Sequence, residues 1–510
     1  MKKISIMLSA LCLAAGVPTL SMAQSSEFTL DTKVPANPDN EPRPVFPVPT
    51  ARQLKWNQTE FYAFFHYGIN TYTGKEWGDG SESETLFAPT GKPDPKQWLK
   101  AIKAGGMRGG IAVVKHHDGF CLWPTKTTEH NVKKAGNAYG QETNIPRDFA
   151  KAAQELGLKY GFYISPWDRN SGYWGEKKDG QYTDNYAKQV FFAQCAEMTE
   201  YGKDQFEMWF DGATGDNGYY GGTNEKRTID NATRYYDIPN LRDSIHNACP
   251  NIILWGTGGE ARWIGNESGW AGETCWSMGD GTSGDENAWK WFPGESDAKA
   301  TTKGWFYHDG EGCKSADEMF KIYLETVGRN ATLILNFPPD KRGLLPDADV
   351  NNLKALGDML RKRLGTDLAK QEGVKITASD VRDAGAKRNY LANNMVDGDS
   401  TTYWACKDGN KTATIKVELP KVQKIHYVAL QEYIQLGQRI KGFTIETSTD
   451  GQNWTKKGGN IQTTTVGYKR IIPLNGNTSN SYDAGTDAKF VRVTITDSRA
   501  CPTLHTLSIF

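Results

Sequence analysis

Short apolar runs alternate with amphipathic, helix-like stretches along residues 51–366. The apolar runs leave no polar face, which is typical of strands buried on both sides of a sheet. We therefore predict strands at residues 61–67, 109–115, 159–165, 206–210, 251–255, 304–307 and 331–337. The segments between and after them predict helices at residues 95–104, 146–156, 185–201, 239–247, 316–327 and 347–364.

This alternation predicts an α/β domain of parallel βα units, either a closed barrel or a doubly wound sheet. A (β/α)8-type, TIM-like barrel over residues 51–370 is favoured, because that span fits a barrel with insertions. No Gly-x-Gly-x-x-Gly follows the first strand, so dinucleotide binding is not indicated.

The pattern of apolar and polar positions changes after about residue 371. Apolar and polar positions then alternate with a period of two, as at residues 413–419 and 490–495, in a segment rich in Thr, Val, Ile and Gly. This pattern is typical of antiparallel strands. We predict a second domain, an antiparallel β-sandwich, over residues 371–510.

The N-terminus has the features of a targeting segment. Lys2 and Lys3 precede an apolar run at 4–17, and Ser21-Met22-Ala23 then places small residues at the cleavage positions. We predict a signal peptide at residues 1–23, export to the periplasm or the medium, and an extended lead-in at 24–50. No later segment has the ~20 apolar residues of a spanning helix, so no membrane anchor is expected.

Composition narrows the choice of partners. Lys plus Arg and Asp plus Glu both number 60, so no basic excess favours nucleic acid or an anionic membrane. Aromatic residues make up 11% of the chain, with 16 Trp and 22 Tyr. Their flat apolar faces and polar edges suit carbohydrate, although packing in a large barrel can produce the same bias.

The run at 206–210 ends abruptly in Asp211 and Gly212. A carboxylate at the C-terminal tip of a barrel strand lies where such enzymes keep their chemistry. Because side chains alternate along a strand, Trp209 and Asp211 point the same way and pair an aromatic surface with an acid. The alternative is that Asp211 caps the following helix.

Polar residues also follow the other predicted strands, which outlines a concave site at the barrel mouth. They are His66, the Glu76-Trp77 loop, His116-His117, Asp168-Arg169, Arg262 and Glu267. A metal site is the weaker explanation of the histidines, because adjacent residues on a regular strand point oppositely. No Gly-x-Ser-x-Gly supports a serine nucleophile, which leaves paired carboxylates as in a glycosidase.

These motifs together resemble one family. Phe-Phe-His-Tyr-Gly at 64–68, Lys-His-His-Asp-Gly-Phe at 115–120, Tyr-Ile-Ser-Pro-Trp-Asp-Arg at 163–169, Trp-Phe-Asp-Gly-Ala at 209–213 and Arg-Trp-Ile-Gly-Asn-Glu at 262–267 are similar to α-L-fucosidases of glycoside hydrolase family 29. The resemblance covers about residues 50–366. Gly-Asn-Glu at 265–267 resembles the subgroup that acts on α-1,3/1,4-linked fucose.

The resemblance implies a retaining mechanism with Asp211 as nucleophile and Glu267 as acid/base. Glu260, Glu273 and Glu295 are rivals for the second role, and a solvated loop carboxylate is the other interpretation of Glu267. The implied contacts to fucose come from His66, Glu76, Trp77, His116, His117, Tyr163, Trp209, Arg262 and Glu295. The substrate is then a fucosylated glycan, and no cofactor is expected for catalysis. α-L-Galactose as substrate and a non-catalytic sugar-binding protein remain as alternatives.

The segment 393–404 resembles the discoidin-like fold that includes carbohydrate-binding modules. That resemblance implies a structural calcium held by Asp397, Asp399 and Thr402, whose oxygens suit a hard cation. The same Asp-Gly-Asp stretch equally fits a plain turn. Whether the sandwich binds glycan or buttresses the barrel stays open at this stage.

Overall fold

A computed structural model of the chain describes residues 37–212, 214–476 and 484–510. The predicted signal peptide at 1–23 and residues 24–36 of the predicted lead-in lie outside the described residues. Residues Asp39–Phe510 form one unit that contains both predicted folds.

Eight parallel strands form the first sheet. They are β1 Phe61–Phe65, β2 Gly109–Lys115, β3 Lys159–Ile164, β4 Glu207–Phe210, β5 Ile253–Gly256, β6 Arg262–Trp263, β7 Gly294–Lys299 and β8 Ala331–Asn336. They pair in the order β6-β7-β8-β1-β2-β3-β4-β5. A parallel bridge between Trp255 and Ala261 joins the two ends of this order and closes the ring. The predicted TIM-like barrel is confirmed.

Helices surround the barrel where the chain crosses from one strand to the next. The longer ones are Ala51–Asn57, Pro95–Ala104, Ile145–Leu156, Phe192–Thr199, Ile238–Ala248, Ala316–Thr326 and Asp347–Leu364, and a π-helical stretch, Tyr186–Phe191, precedes the fourth. Single turns lie at Asn70–Thr73, Glu84–Leu86, Val132–Lys134, Ala138–Gln141, Tyr220–Gly222 and Ala232–Tyr235. Small hairpins pair Lys177–Lys178 with Gln181–Tyr182 and Asn217–Gly218 with Glu225–Lys226.

One predicted strand is wrong. Residues 304–307 form an irregular loop, and the seventh strand is instead Gly294–Lys299. Its sequence, Gly-Glu-Ser-Asp-Ala-Lys, is polar because Glu295 and Asp297 point into the barrel interior, where other side chains hydrogen-bond to them. A strand that buries carboxylates lacks the apolar pattern by which strands are recognised.

The C-terminal domain is a pair of antiparallel sheets, as predicted. Its strands are β9 Lys375–Ala378, β10 Trp404–Ala405, β11 Ala413–Ile425, β12 Tyr427–Glu432, β13 Ile440–Ser448, β14 Thr455–Lys457, β15 Arg470–Pro473, β16 Thr486–Ser498 and β17 Thr503–Ile509. One sheet has the order β9-β11-β16-β13-β14 and the other β10-β17-β12-β15. Short helical turns lie at Leu368–Lys370, Ala392–Met395 and Ile434–Leu436.

The sandwich packs directly on the barrel. The fully buried amide of Gln438 accepts a hydrogen bond from the backbone N–H of Ser277 at 2.7 Å and donates one to the carbonyl of Cys275 at 3.0 Å. The backbone N–H of Asn330, next to β8, donates to the carbonyl of Lys469 at 2.9 Å. These contacts support the buttressing role. No helix within the described ranges is long and apolar enough to cross a bilayer.

Candidate active site

The polar residues that follow the barrel strands meet in one pocket at the carboxyl end of the barrel. Asp211 follows β4, His66 follows β1, and His116 follows β2. The lining residues are Phe64, His66, Glu76, Trp77, His116, Tyr163, Trp209, Asp211, Glu267, Asp297 and Trp305. Most of the residues predicted for the site therefore line one pocket, and the two proposed catalytic carboxyls are among them.

Asp211 is held in its ionised form by its neighbours. The hydroxyl of Tyr163 donates to its Oδ2 at 3.1 Å, and Nε2 of His117 lies 3.5 Å from the same oxygen. Burial alone would raise the pKa of Asp211, but the hydrogen bond and charge of His117, with the bond from Tyr163, bring it below its usual value. An ionised carboxylate at this position is what a nucleophile requires.

The ring of His117 is oriented from behind. Ser165 Oγ donates to the carbonyl of Trp167 at 2.7 Å and lies 2.7 Å from Nδ1 of His117. A hydroxyl has one proton, so Ser165 accepts from Nδ1 and turns Nε2 towards Asp211. The rings of Trp77 and His117 also pack edge to face, with centroids 5.1 Å apart and planes at 86°.

His66 and His116 are uncharged at neutral pH. Burial lowers the pKa of His66 to about 4 and that of His116 well below its usual value. The amide of Asn336 donates to the carbonyl of Trp305 at 2.7 Å, so its oxygen faces Nδ1 of His66 at 2.7 Å. His66 therefore donates through Nδ1 and keeps Nε2 as an acceptor, which suits a ligand hydroxyl.

Glu76 fixes the loop that carries Trp305. Its carboxylate accepts from the backbone N–H of Trp305 at 2.7 Å and lies 2.6 Å from Nε2 of His308. The indole N–H of Trp305 in turn reaches Oε2 of Glu267 at 3.3 Å. Sequence analysis did not place Trp305 in the site, because its apolar surroundings indicated a strand.

Glu267 lies in the exposed loop after β6, at the rim of the pocket. Two of its rivals line neither this pocket nor the cavity beside it: Glu260 pairs with Arg52 at 3.3 Å and His246 at 3.1 Å, and Glu273 accepts from the backbone of Gln462 at 3.0 Å.

Asp297 is a site carboxyl that sequence analysis missed. It accepts from the indole N–H of Trp263 at 2.7 Å. Burial, helped by the negative charge of Glu267, raises the pKa of Asp297 to about 8, so this acid is neutral at pH 7. The alternation rule that paired Trp209 with Asp211 also pairs Glu295 with Asp297, once their strand is recognised.

Glu295 and Arg262 lie outside the lining of the narrow pocket. Glu295 is fully buried beneath the pocket, where its carboxylate accepts from the indole of Trp209 at 2.7 Å. Arg262 is buried too, and its guanidinium donates to the carbonyls of Gly281 and Phe292. Arg262 lines the wider cavity beside this pocket, whereas Glu295 lines neither and supports the wall through Trp209.

A wider cavity of about 600 Å³ adjoins the narrow pocket. The two share Trp209, Asp211, Glu267 and Asp297, and the wider one continues along Trp255, Trp263, Asp280 and Phe292. The carboxyls of Asp211 and Glu267 therefore lie where a small terminal sugar in the pocket would join the rest of a larger molecule in the cavity.

The residues of the predicted calcium site share one exposed turn in the sandwich. Thr402 Oγ1 donates to Asp397 Oδ2 at 2.7 Å and lies 3.1 Å from the carbonyl oxygen of Asp399. Carboxylate, hydroxyl and carbonyl oxygens form a donor set that suits calcium. In the described part of the chain, this turn included, no group of three or more His, Cys, Asp or Glu side chains is arranged to hold a metal.

Comparison with known proteins agrees with this architecture. A model of the α-L-fucosidase family matches residues 47–363, and a model of the F5/8 type C domain matches residues 375–506. α-L-Fucosidase 1 of Arabidopsis thaliana is 32% identical over 446 residues, which are 84% of this chain and 82% of that protein.

Solved structures give the same result. A glycoside hydrolase 29 family member from an unknown rumen bacterium is 34% identical with a TM-score of 0.76, covering 92% of this chain and 78% of its own. A family 29 fucosidase of Ruminococcus gnavus in complex with fucose is 30% identical with a TM-score of 0.78, covering 92% and 96%. The chain is therefore a member of the α-L-fucosidase family, glycoside hydrolase family 29, with a C-terminal F5/8 type C domain.

Proposed function

We propose that this α-L-fucosidase is a retaining exo-enzyme that releases terminal α-1,3/1,4-linked L-fucose. Asp211 is the nucleophile and Glu267 the acid/base. The observation that carries this proposal is that both carboxyls lie on the wall of one pocket, at its junction with a wider cavity. A pocket that closes around one terminal sugar and opens towards its neighbour fits an exo-acting enzyme.

The chemistry follows from the two positions. Asp211 attacks the anomeric carbon while Glu267 gives its proton to the departing glycosidic oxygen, so one C–O bond forms as the other breaks. Glu267 then takes a proton from water, and the resulting hydroxide displaces Asp211. Two inversions leave the configuration of the released fucose unchanged.

The other pocket residues hold the sugar. Neutral His66 and His116 offer acceptor and donor nitrogens to its hydroxyls, and Tyr163 and His117 keep Asp211 ionised. Glu76 and Trp77 close one side, and the indole of Trp209 supplies an apolar surface for the fucose methyl group. Arg262 lines the wider cavity next to Asp211, and Glu295 acts through the indole that it holds.

The linkage preference rests on the resemblance of 265–267 to the α-1,3/1,4 subgroup and on the width of the neighbouring cavity. A branched leaving group needs room on two sides of the fucose, and a cavity of about 600 Å³ supplies it. The exposed indole of Trp263 on its wall offers a stacking surface for the next sugar.

The test is fucose release by the purified mature chain from a Lewis-type α-1,3/1,4-fucosylated trisaccharide and from 2′-fucosyllactose, with Asp211→Ala as control. Release from the branched substrate alone, lost in the variant, supports the proposal. Proton NMR of the first-formed sugar distinguishes retention from inversion. Equal release of fucose from the two substrates would overturn the linkage assignment. Activity on α-L-galactosides only would overturn the assignment of fucose as the substrate sugar.

Asp297 is neutral at pH 7 and lines the same pocket, so the acid/base role needs its own test. Glu267→Ala should lose most activity on the trisaccharide but little on an aryl fucoside whose leaving group needs no proton, and azide should restore turnover. Asp297→Asn serves as the matched control. If Asp297→Asn shows that pattern and Glu267→Ala does not, the roles are reversed.

We further propose that residues 1–23 direct export to the periplasm and are then removed, and that calcium binds the turn of Asp397, Asp399 and Thr402. The first is tested by N-terminal sequencing of the protein from the periplasmic fraction. Recovery of the uncleaved chain from the cytoplasm would contradict it.

A further inference from the structure

Two carboxyl side chains lie inside the barrel, one layer below the pocket. Glu207 opens β4 and Glu295 lies near the start of β7, and both are 0% exposed. Alternate residues of a strand face the same way, so Glu207 points in the same direction as Trp209 and Asp211. The two acids are therefore under the indole and the nucleophile, and no step of the reaction uses them directly.

Glu295 accepts hydrogen bonds at both oxygens. Its Oε1 receives the indole N–H of Trp209 at 2.7 Å, and its Oε2 receives the hydroxyl of Tyr62. The indole of Trp209 is stacked on that of Trp255, with ring centroids 3.4 Å apart and planes within 4°. Stacking fixes the plane of the Trp209 ring, and the bond to Glu295 fixes its rotation within that plane.

Glu207 has no such support as an anion. Trp56 and Tyr62 approach it, but within the described chain no donor reaches hydrogen-bonding geometry at either of its oxygens. Burial, and then the charge of Glu295, raises the pKa of Glu207 well above its usual value. A fully buried carboxyl without a donor is stable as the neutral acid, and a neutral Glu207 has a proton to offer to the neighbouring carboxylate of Glu295.

We propose that Glu207 and Glu295 hold one proton between them and that this pair positions Trp209 in the wall of the sugar site. Glu207 neutralises the pair by supplying a donor, and Glu295 anchors the indole. Both are positioning residues, because they act on the sugar only through Trp209. The kinetic part of this inference rests on the proposed fucosidase site, whereas the shared proton does not.

A double-mutant cycle tests the positioning role. Losing a buried hydrogen bond to a charged group should lower kcat/KM on an aryl fucoside by about 10- to 100-fold in Glu295→Leu. In a Trp209→Phe background, where the indole N–H is gone, the same substitution should have little further effect. An equal loss in both backgrounds would overturn the proposal, since a general packing defect does not depend on that N–H.

The conservative variant Glu207→Gln gives the second arm, because its amide can donate to Glu295 as the acid does. Glu207→Gln should restore most of the kcat/KM that Glu207→Leu loses. The loss in Glu207→Leu should appear as a higher KM as much as a lower kcat. Equal loss in Gln and Leu variants would contradict the donor role. Glu207→Gln also keeps the test informative if the Leu variants do not fold.

Infrared spectroscopy tests the shared proton without any substrate. The wild-type spectrum at pH 7 should contain a protonated-carboxyl band that disappears in Glu207→Gln, while the band of neutral Asp297 remains as an internal reference. An unchanged band would overturn the shared proton. A lost band in a protein that cleaves no fucoside would instead count against the proposed function.

Discussion

Nε2 of His117 lies 3.5 Å from Oδ2 of Asp211, the same oxygen that accepts the hydroxyl of Tyr163. Asp211, the proposed nucleophile, is thereby kept ionised although burial alone would raise its pKa. His117 is in turn held by Ser165, so the ionisation of Asp211 depends on a chain of contacts between β2, β3 and β4.

The first prediction concerns this contact. In His117→Asn the burial of Asp211 is no longer offset, so the pKa of Asp211 rises and the acidic limb of the kcat/KM profile moves to higher pH. At pH 7, kcat/KM should fall about tenfold, the value of one charge-assisted hydrogen bond. His426→Asn in the sandwich is the control. An acidic limb at the wild-type pH would show that His117 does not set the charge of Asp211.

The second prediction concerns stability and His66. The folded protein binds a proton at His66 only near pH 4, whereas the unfolded chain binds it at about 6.5. Below 6.5 the unfolded state therefore gains protons first, and stability falls as the pH drops from 6.5 to 4. This proton binding accounts for at most about 3 kcal/mol of the loss in folding stability between pH 6.5 and pH 4, and His66→Gln removes it. Between pH 4 and pH 6.5 the melting temperature should change less with pH in His66→Gln than in the wild type. An equal change in both proteins would contradict this prediction.

Asp297 gives the third prediction, with the opposite sign. Its folded pKa is about 8, and the unfolded value is about 3.9. Between these values the unfolded chain is ionised and binds fewer protons, so stability falls as the pH rises. Asp297→Asn keeps an acceptor for Trp263 without this penalty. The melting temperature of the variant relative to wild type should rise from pH 4 to pH 8, and a constant difference would show that Asp297 is ionised in the fold.

The barrel could be predicted where burial and apolarity coincide. Residues 109–115 match β2 at both ends because nearly every side chain of that strand is apolar and buried. Gly294–Lys299 was missed because its inward positions are acids, and 304–307 was misread because Trp305 is apolar but lines a pocket. Functional groups inside the barrel thus break the pattern by which the barrel is recognised.

The site shows the same division. Asp211 was found from alternation along its own strand, a local rule. The hydrogen bonds of Arg262 follow no such rule, because its guanidinium donates to the carbonyls of Gly281 and Phe292, which only the path of a long loop brings near. A charged residue in a motif identifies the neighbourhood of a site, and tertiary contacts decide whether it faces the ligand or supports the wall.

The fourth prediction concerns calcium at the sandwich turn. If Asp397, Asp399 and Thr402 bind the ion, calcium should raise the melting temperature and a chelator should lower it, by an amount that grows with calcium concentration. Asp399→Ala should abolish the response. Asp450→Ala, which removes another turn carboxylate of the sandwich, should leave it intact. Equal melting temperatures with and without calcium would make this segment a plain turn.

The last prediction concerns Gln438, the sandwich residue that clamps the backbone of Cys275 and Ser277. The guanidinium of Arg262 also lies 3.6 Å from the sulfur of Cys275. Gln438 and Arg262 therefore both contact the same loop. Gln438→Leu leaves the buried N–H of Ser277 unpaired, while the carbonyl of Cys275 keeps its hydrogen bond from the amide of Asn330 at 2.8 Å. The substitution should lower the free energy of unfolding by about 1–3 kcal/mol.

Thermal unfolding measures this loss, and Gln452→Leu, on an exposed turn of the sandwich, is the matched control. Because the clamped loop leads to Phe292 on the wall of the wider cavity, Gln438→Leu should also raise KM for the branched trisaccharide more than for an aryl fucoside. A loss of stability with equal KM effects would mean that the sandwich stabilises the barrel without shaping the cavity. Unchanged stability would mean that the sandwich does not buttress the barrel through this residue.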